Sequence, residues 1–430
     1  MRFFVLRRSY LIGFLLAASL ITGMATGLGL FYRLVYILAL VIVLGYAWNW
    51  LSLRSLTVVV DRRTRRITVG DPVREHITVN NTSALPRPVI EVEDLSELPG
   101  FTTGNAMSML PGGSITWTSS GTARRRGVYT MGPVVARNTD PFGLFRRELT
   151  FPYTDTVVVY PRAYDLPGFR VPSANLSGDS SLKRRTHDLT PHASSVREYA
   201  PGDALSRVHW NSTARVGKLM SKEFDEGHAS DVWIAVDLHR DVQAGQLEDS
   251  TDEYAVSVAA SLAKRFLTEG MPVGMIVYGT EKVLLGADTG PGQMDRILES
   301  LARSESEGLV PIGDALPEDE ALWSHHTTLV VVTSSPRPEW VGALEQLARR
   351  RVKVASVLVD GRSFGGFYDS LQSLSNLESA GIPTYVVSSG DDISTALSQM
   401  HRGAGVVQPI GRVADAVGAK ASTRQGGHGQ

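Results

Sequence analysis

Two long apolar runs near the N-terminus constrain this chain more than any other feature. "YLIGFLLAASLITGMATGLGL" (10–30) and "LVYILALVIVLGYAWNWLSL" (34–53) are each about 20 residues, the length at which a helix crosses the hydrocarbon core of a bilayer. Arg33 is the single charge between residues 9 and 53, and no Asp or Glu occurs before Asp61. Tyr46, Trp48 and Trp50 suit an interfacial aromatic belt at the end of the second run. A secretory signal would account for the first run, but a second span follows within a few residues. The pattern therefore predicts a helical hairpin in a lipid bilayer. Arg2, Arg7 and Arg8 precede it, and Arg54, Arg62, Arg63, Arg65 and Arg66 follow it. By the positive-inside rule, residues 1–9 and the bulk of the chain are cytoplasmic, and residues 10–53 form a multi-pass anchor in the cell (inner or plasma) membrane.

The 430 residues leave room for two ordinary domains beyond the hairpin. Lys and Arg number 43 against 44 Asp and Glu, a balance that gives no general pull toward nucleic acid. There is no cysteine, so disulfides, thiol catalysis and zinc–cysteine sites are excluded.

Residues 55–165 hold short segments rich in Val, Ile, Thr and Tyr between Gly, Pro, Asn and Ser clusters. "LTVVVD", "RRITVG", "REHITVNNTS", "PVIEVED", "SITWTSS", "GVYTMGPVVARN" and "DTVVVYPR" predict the strands of an all-β sandwich. "TDPFGLF" (139–145) reads as a turn, with Phe142, Leu144 and Phe145 as core anchors. Residues 166–195 are polar and aperiodic and read as a connector, a hinge or a lid. A signature segment, 196–230, follows it. From 231 to 402, strands alternate with helices, beginning with "DVWIAVDL" and the helix 252–270, which predicts a doubly wound, mostly parallel α/β sheet. Residues 403–430 are small and Gly-rich and read as a disordered tail.

On such a sheet a ligand belongs at the carboxyl ends of the strands. The first strand ends in Asp237, followed by His239 and Asp241. A von Willebrand A-type domain would place Asp-x-Ser-x-Ser there, because one carboxylate and two hydroxyls supply the oxygen ligands that Mg²⁺ needs. Val310 and Pro311 stand where such a domain has Thr, and Ser334 where it has another Asp. Only Asp237 remains of that set, so the sequence predicts a degenerate site, with no bound metal and no cofactor. No G-x-S-x-G, H-E-x-x-H or G-x-G-x-x-G motif is present. His187, Asp188 and His192 lie in a polar loop, and the neighbours His325 and His326 are not expected to face one site.

The densest polar stretch is "VREYAPGDALSRVHWNSTARVGKLMSKEF" (196–224). Its candidates are Arg197, Glu198, Tyr199, Gly202, Asp203, Arg207, His209, Trp210, Arg215 and Glu223. Pro201-Gly202 suits a turn, after which Asp203 is expected to cap a helix "ALSRVHWNSTAR". Arg197, Glu198, Asp203, Arg207 and Arg215 then read as paired charges under a Trp210 lid. A docking or anion-binding surface is the other reading, and catalysis by Glu198 or Asp203 lacks an accompanying nucleophile.

This segment, followed by the strand ending in Asp237, resembles the hallmark of domain-of-unknown-function family 58: an Arg-x-Tyr-x-x-Gly-Asp element, then an Arg, a Trp, an Ala-Arg pair and a Glu. "RRRGVYTMGPVVARNTDPFGLF" (124–145) also resembles that family, through its Arg-Gly-x-Tyr and Asp-Pro-Phe-Gly-Leu runs. The resemblance implies a bacterial membrane protein working with a MoxR-type AAA+ ATPase, often beside transglutaminase-like membrane proteins, in protein assembly, maturation, envelope or stress functions. It implies no reaction. The expectation is a non-enzymatic adaptor. The competing expectations are a metal-dependent hydrolase using Glu198, Asp203, Asp237 and His239, and an outward-facing receptor, which the arginines oppose.

Overall fold

A computed structural model describes residues 2–5, 7–62, 65–170, 193–200, 208–224 and 231–401. The apolar runs form helices α1 (Arg7–Thr26) and α2 (Gly29–Ser52), packed against each other and both long and apolar enough to cross a membrane. Their buried positions are small or polar (Ser19, Gly23, Gly45, Asn49 and Ser52), while Leu, Ile, Phe and Tyr side chains face outward. That inverts the pattern of a helix in a water-soluble core. Ahead of α1, inside the expected N-terminal tail, lies a strand, β1 (Arg2–Val5).

Residues 55–165 carry ten strands, more than the sequence reading resolves. They are β2 (Leu56–Asp61), β3 (Arg66–Thr68), β4 (Pro72–Asn81), β5 (Arg87–Asp94), β6 (Asn105–Met109), β7 (Ser114–Thr122), β8 (Gly127–Met131), β9 (Val134–Thr139), β10 (Phe145–Phe151) and β11 (Asp155–Tyr160). "GVYTMGPVVARN" is two strands, β8 and β9, divided at Gly132-Pro133. A five-stranded sheet runs β1-β10-β9-β5-β6, and a three-stranded one runs β2-β4-β7. The two share a core in which Val58, Ile77 and Val79 meet Ile90, Val92, Val134 and Ala136. A third sheet, β3-β11-β8, has its own smaller core around Ile67, Met131, Val157 and Val159. In the Asp140–Phe145 turn, Leu144 is buried as expected, but Phe142 is exposed and anchors no core.

The connector begins later than its composition suggests. Leu166 and Phe169 are buried in the α/β unit, with the Phe169 ring 4.8 Å from Tyr385 and 6.1 Å from Phe266. Two buried apolar residues in a polar stretch give no periodicity to detect. A strand, β12 (Ala193–Glu198), opens before residue 196. The hinge-or-lid question, for residues 171–192, lies outside the described residues, as does the tail from residue 402.

The signature segment continues with α3 (Trp210–Val216) and β13 (Met220–Phe224). Then come β14 (Val232–Asp237), a short pair β15 (Gly245–Gln246) and β16 (Asp249–Ser250), α4 (Thr251–Thr268), β17 (Val273–Tyr278), β18 (Lys282–Asp288), α5 (Gln293–Arg303), α6 (Ile312–Glu318), β19 (Thr328–Thr333), α7 (Glu339–Arg349), β20 (Lys353–Val359), α8 (Leu371–Ser379), β21 (Thr384–Val387) and α9 (Ile393–Ala396). The main sheet runs β18-β17-β14-β19-β20-β21 and is parallel except for the edge strand β18. All six residues of β14 are buried. Val232, Ile234 and Val236 face one core with α4, α5 and α9, and Trp233 and Ala235 face the other with α6, α7 and α8. Burial on both faces is why such strands read as continuous apolar runs. Strand β18 and helix α6 are additions to the sequence reading.

Candidate functional site

Strand order reverses on either side of β14, between its neighbours β17 and β19, and the end of β14 is therefore where an open sheet of this kind offers a crevice. A cavity of about 160 Å³ opens there, lined among others by Asp237, His239, Pro311, Asp314, Arg337 and Trp340. Asp237 lies at its floor, 1% exposed. Its Oδ2 accepts the Thr333 hydroxyl at 2.6 Å, and its Oδ1 accepts the His239 N–H at 3.0 Å. Burial raises the Asp237 carboxyl above its ordinary range, and the Thr333 and His239 hydrogen bonds only partly oppose it.

The donor set does not fit a divalent cation. Both Asp237 oxygens are committed within the strand ends, and the Ser334 hydroxyl donates to Val242 O at 2.9 Å. The His239 side chain caps its own turn by accepting the Asp241 N–H at 3.3 Å, while Asp241 pairs outward with Arg240. Among the described residues no group of three or more His, Asp or Glu converges to hold a metal. Thr333 is the functional neighbour that sequence reasoning missed. Its signal was present, a hydroxyl at the end of the adjacent core strand.

The signature segment builds a small separate unit. Strands β12 and β13 pair antiparallel, with Arg197 opposite Ser221, Glu198 opposite Met220 and Glu223 opposite Ser195. Tyr199 extends the pairing by donating its N–H to Leu219 O. Among the described residues, the helix expected over 204–215 begins at Trp210. Val208 is buried and bridged to Ser221, so the chain is still extended there. His209 takes the capping role expected of Asp203, its Nδ1 accepting the Ser212 N–H at 3.2 Å. Gly217, at φ 75°, ends the helix in the left-handed conformation that glycine adopts without Cβ strain. Gly202, Asp203 and Arg207 lie outside the described residues.

Trp210 is 65% exposed, and Asp203 and Arg207, two of the charges it was expected to cover, lie outside the described residues. The described charges of the cluster are not buried beneath it. Lys218 Nζ meets Glu198 Oε1 at 2.6 Å in solvent, and that contact raises the Lys218 ammonium. Arg215 is exposed in the last turn of α3, with Val216 and Leu219 exposed beside it. His187, Asp188 and His192 fall outside the described residues. His325 and His326 do come together, their rings 3.8 Å apart, because they occupy a turn and not the strand.

A second cluster joins the β-rich unit to the α/β unit. Arg126, buried, donates from Nη1 to Glu253 Oε1 at 2.7 Å and from Nε to Leu301 O at 3.2 Å. Arg125 Nη2 donates to Asp252 Oδ2 at 3.3 Å, and the Ser250 and Ser306 hydroxyls also donate to Asp252. Burial alone would raise Asp252, but Arg126, Ser250 and Arg125 hold it below its ordinary range. For Glu253 burial wins and the carboxyl is raised. The arginines stand in the Arg-Gly-x-Tyr run. Their partners on α4, 127 residues along the chain, were beyond any local signal.

Residues 195–364 match the family described as "Protein of unknown function DUF58". Over 233 residues the chain is 27% identical to "Uncharacterized protein YeaD" of Bacillus subtilis (strain 168), an alignment covering 53% of this chain and 56% of that protein. The chain thus spans about half the length of that relative. Among solved structures, proximal thread matrix protein 1 from the mussel byssus is similar with a TM-score of 0.28 at 12% identity, over 39% of this chain and 46% of that one. The CARDB domain of PF1109 from Pyrococcus furiosus gives 0.19 at 19% identity, over 24% and 94% respectively. Similarities that slight carry no argument.

Proposed function

Through residues 195–364 the chain belongs to the DUF58 family, and on that premise we propose that it is a membrane-anchored, cytoplasm-facing adaptor for a MoxR-type AAA+ ATPase. In this reading the β-rich unit is an all-β sandwich and the α/β unit a von Willebrand A-like domain. The core shared by two sheets and the antiparallel edge strand β18 support those assignments. Anchoring draws on α1 and α2, and orientation on the arginines that flank them. The ATPase comes from the family resemblance.

The observation that carries a docking role is the exposed face of the signature unit. Trp210, Val216 and Leu219 are solvent-exposed within a few residues of each other, with Arg215 and the Lys218–Glu198 pair at their border. Exposed apolar side chains, a Trp among them, next to charged ones are the composition that concentrates binding energy at protein interfaces. Asp237, by contrast, is turned inward onto Thr333 and His239, which favours a binding role over catalysis.

The test is affinity capture of the full-length protein in mild detergent with a non-hydrolysable ATP analogue. Wild type is expected to retain an AAA+ ATPase, and Trp210→Ala, which leaves the buried cores untouched, is expected to lose at least tenfold in retention. Recovery of no ATPase by wild type removes the partner. Equal retention by the variant removes this face.

A further inference from the structure

We propose that the Asp140–Phe145 turn is a third membrane contact, in which Phe142 enters the headgroup–acyl boundary of the leaflet where α1 begins and α2 ends. This rests on the membrane-anchored reading above and assigns the β-rich unit a lipid-facing surface.

The turn is bolted to the helical hairpin. A Cβ on Gly45 of α2 would lie 3.2 Å from Asp140 Oδ2 and 3.5 Å from the Phe145 ring. The Tyr46 and Phe145 rings meet edge-on at 6.1 Å. On α1, the Ser9 hydroxyl donates to Leu144 O, and Arg8 lies against Gly143. β1 continues the attachment by pairing with β10, Val5 opposite Phe145.

Those contacts set the depth of the turn. The roughly 16 residues of α2 from Gly29 to Leu44, ahead of the contact at Gly45, rise about 24 Å. From Tyr10 to Thr26, roughly 17 residues of α1 give about the same. A hydrocarbon core is ~30 Å thick, so the free lengths of both helices are used up within it. The turn is therefore held at or just inside the level where lipid begins.

Its chemistry matches that level. Pro141 and Phe142 point away from the protein, Phe142 being 44% exposed. The carboxylate of Asp140 is buried on the amides of its own turn, so the tip presents no negative charge. Arg8 lies against the turn at Gly143, Arg7 and Arg54 are exposed at the start of α1 and just beyond the end of α2, and the Arg54 guanidinium stacks 4.8 Å over Trp50. An apolar tip beside Arg8, on a hairpin whose ends carry further arginines and a Trp, is complementary to an anionic phospholipid surface.

Because the chain has no cysteine, single-cysteine variants can be spin-labelled without background. Full-length Phe142→Cys, Leu40→Cys and Phe367→Cys would be placed in nanodiscs of phosphatidylethanolamine and phosphatidylglycerol. Nitroxide collision with oxygen would be compared with collision with a water-soluble nickel chelate. Leu40 reports the exposed face of α2, and Phe367, fully exposed on the α/β unit, reports water. The expected result is an oxygen-to-chelate ratio at 142 severalfold above that at 367 and approaching that at 40. A label at 142 that matches 367, while 40 is in lipid, overturns this inference and leaves anchoring intact. Shielding of 142 from both reagents means protein covers the turn, and overturns it too. Chelate access at 40 defeats anchoring and this inference together.

Discussion

Arg62 stands between two buried carboxylates, donating from Nε to Glu75 Oε1 at 3.0 Å and from Nη2 to Asp94. Asp94 also accepts the Gly132 N–H at 2.7 Å. One guanidinium cannot balance two acids out of water. Burial, reinforced by the hydrogen bond to Asp94 and its charge, pushes Glu75 up to about 8. The folded value lies above the unfolded 4.5, so between those limits the native state holds a proton that the unfolded chain has released. The site's contribution to stability is therefore whole below pH 4.5 and falls by ~1.4 kcal/mol per pH unit up to about pH 8. Glu75→Gln removes that proton. Denaturant titrations of the full-length protein in detergent should show the variant gaining on wild type steadily across this window. A difference that stays constant with pH would contradict the assignment. In the sequence, Arg62, Glu75 and Asp94 read only as scattered charges. Their convergence depends on strand register, which no local pattern states.

At the scale of elements, the Asp140 turn shows how a short signal was read and where the reading stopped. Asp140-Pro141 marked a turn, and Asp140 does organise it, Oδ1 accepting the Leu144 N–H at 2.8 Å and Oδ2 the Phe142 N–H at 2.9 Å. Asp140→Ala leaves these amides without their acceptor, at a cost of about 1–3 kcal/mol. It should also loosen α2, which packs on the turn through Gly45 and Tyr46. Limited proteolysis in detergent should cut the variant near residue 140 several times faster than wild type. Equal rates would mean that packing alone holds the turn. Strands rich in β-branched residues were legible, whereas β6, "NAMSM", and the edge strand β18 were not. Met107 and Met109 bury one face of β6 without β-branched character, and β18 alternates at an edge with Gly286 inside it. The second half of the signature helix was legible. Its first half is extended at Val208, where bridging to Ser221 overrides a helical spacing of apolar residues.

In the whole molecule, the Arg125–Arg126 cluster is the joint between the β-rich and α/β units. Arg126→Ala would leave the two buried acids, Asp252 and Glu253, to the half-exposed Arg125 alone, a loss of about 3–5 kcal/mol. Calorimetry of the full-length protein should then show one unfolding transition for wild type and two for the variant, the β-rich unit melting separately. A variant that still unfolds as one unit would show that other contacts join them. Because Asp252 is held below its unfolded value, the stability it contributes is present above about 3.8 and is lost as pH falls through the depressed folded value. The variant should lose that acid sensitivity.

What the sequence determined by itself is what depends on neighbours along the chain. A run of about 20 apolar residues can only be a membrane-length helix or a deeply buried one. Alternation and β-α periodicity name strands and helices because side-chain direction repeats locally, every second or every 3.6 residues. The tertiary structure alone decided which charges meet: Arg126 with Glu253, Arg62 with Glu75, Asp237 with Thr333. It also turned Trp210 outward and fastened the Asp140 turn to the hairpin. Such partners are brought together by sheet order and packing. The free energy of a buried charge depends on its whole surroundings, and no window of sequence contains them.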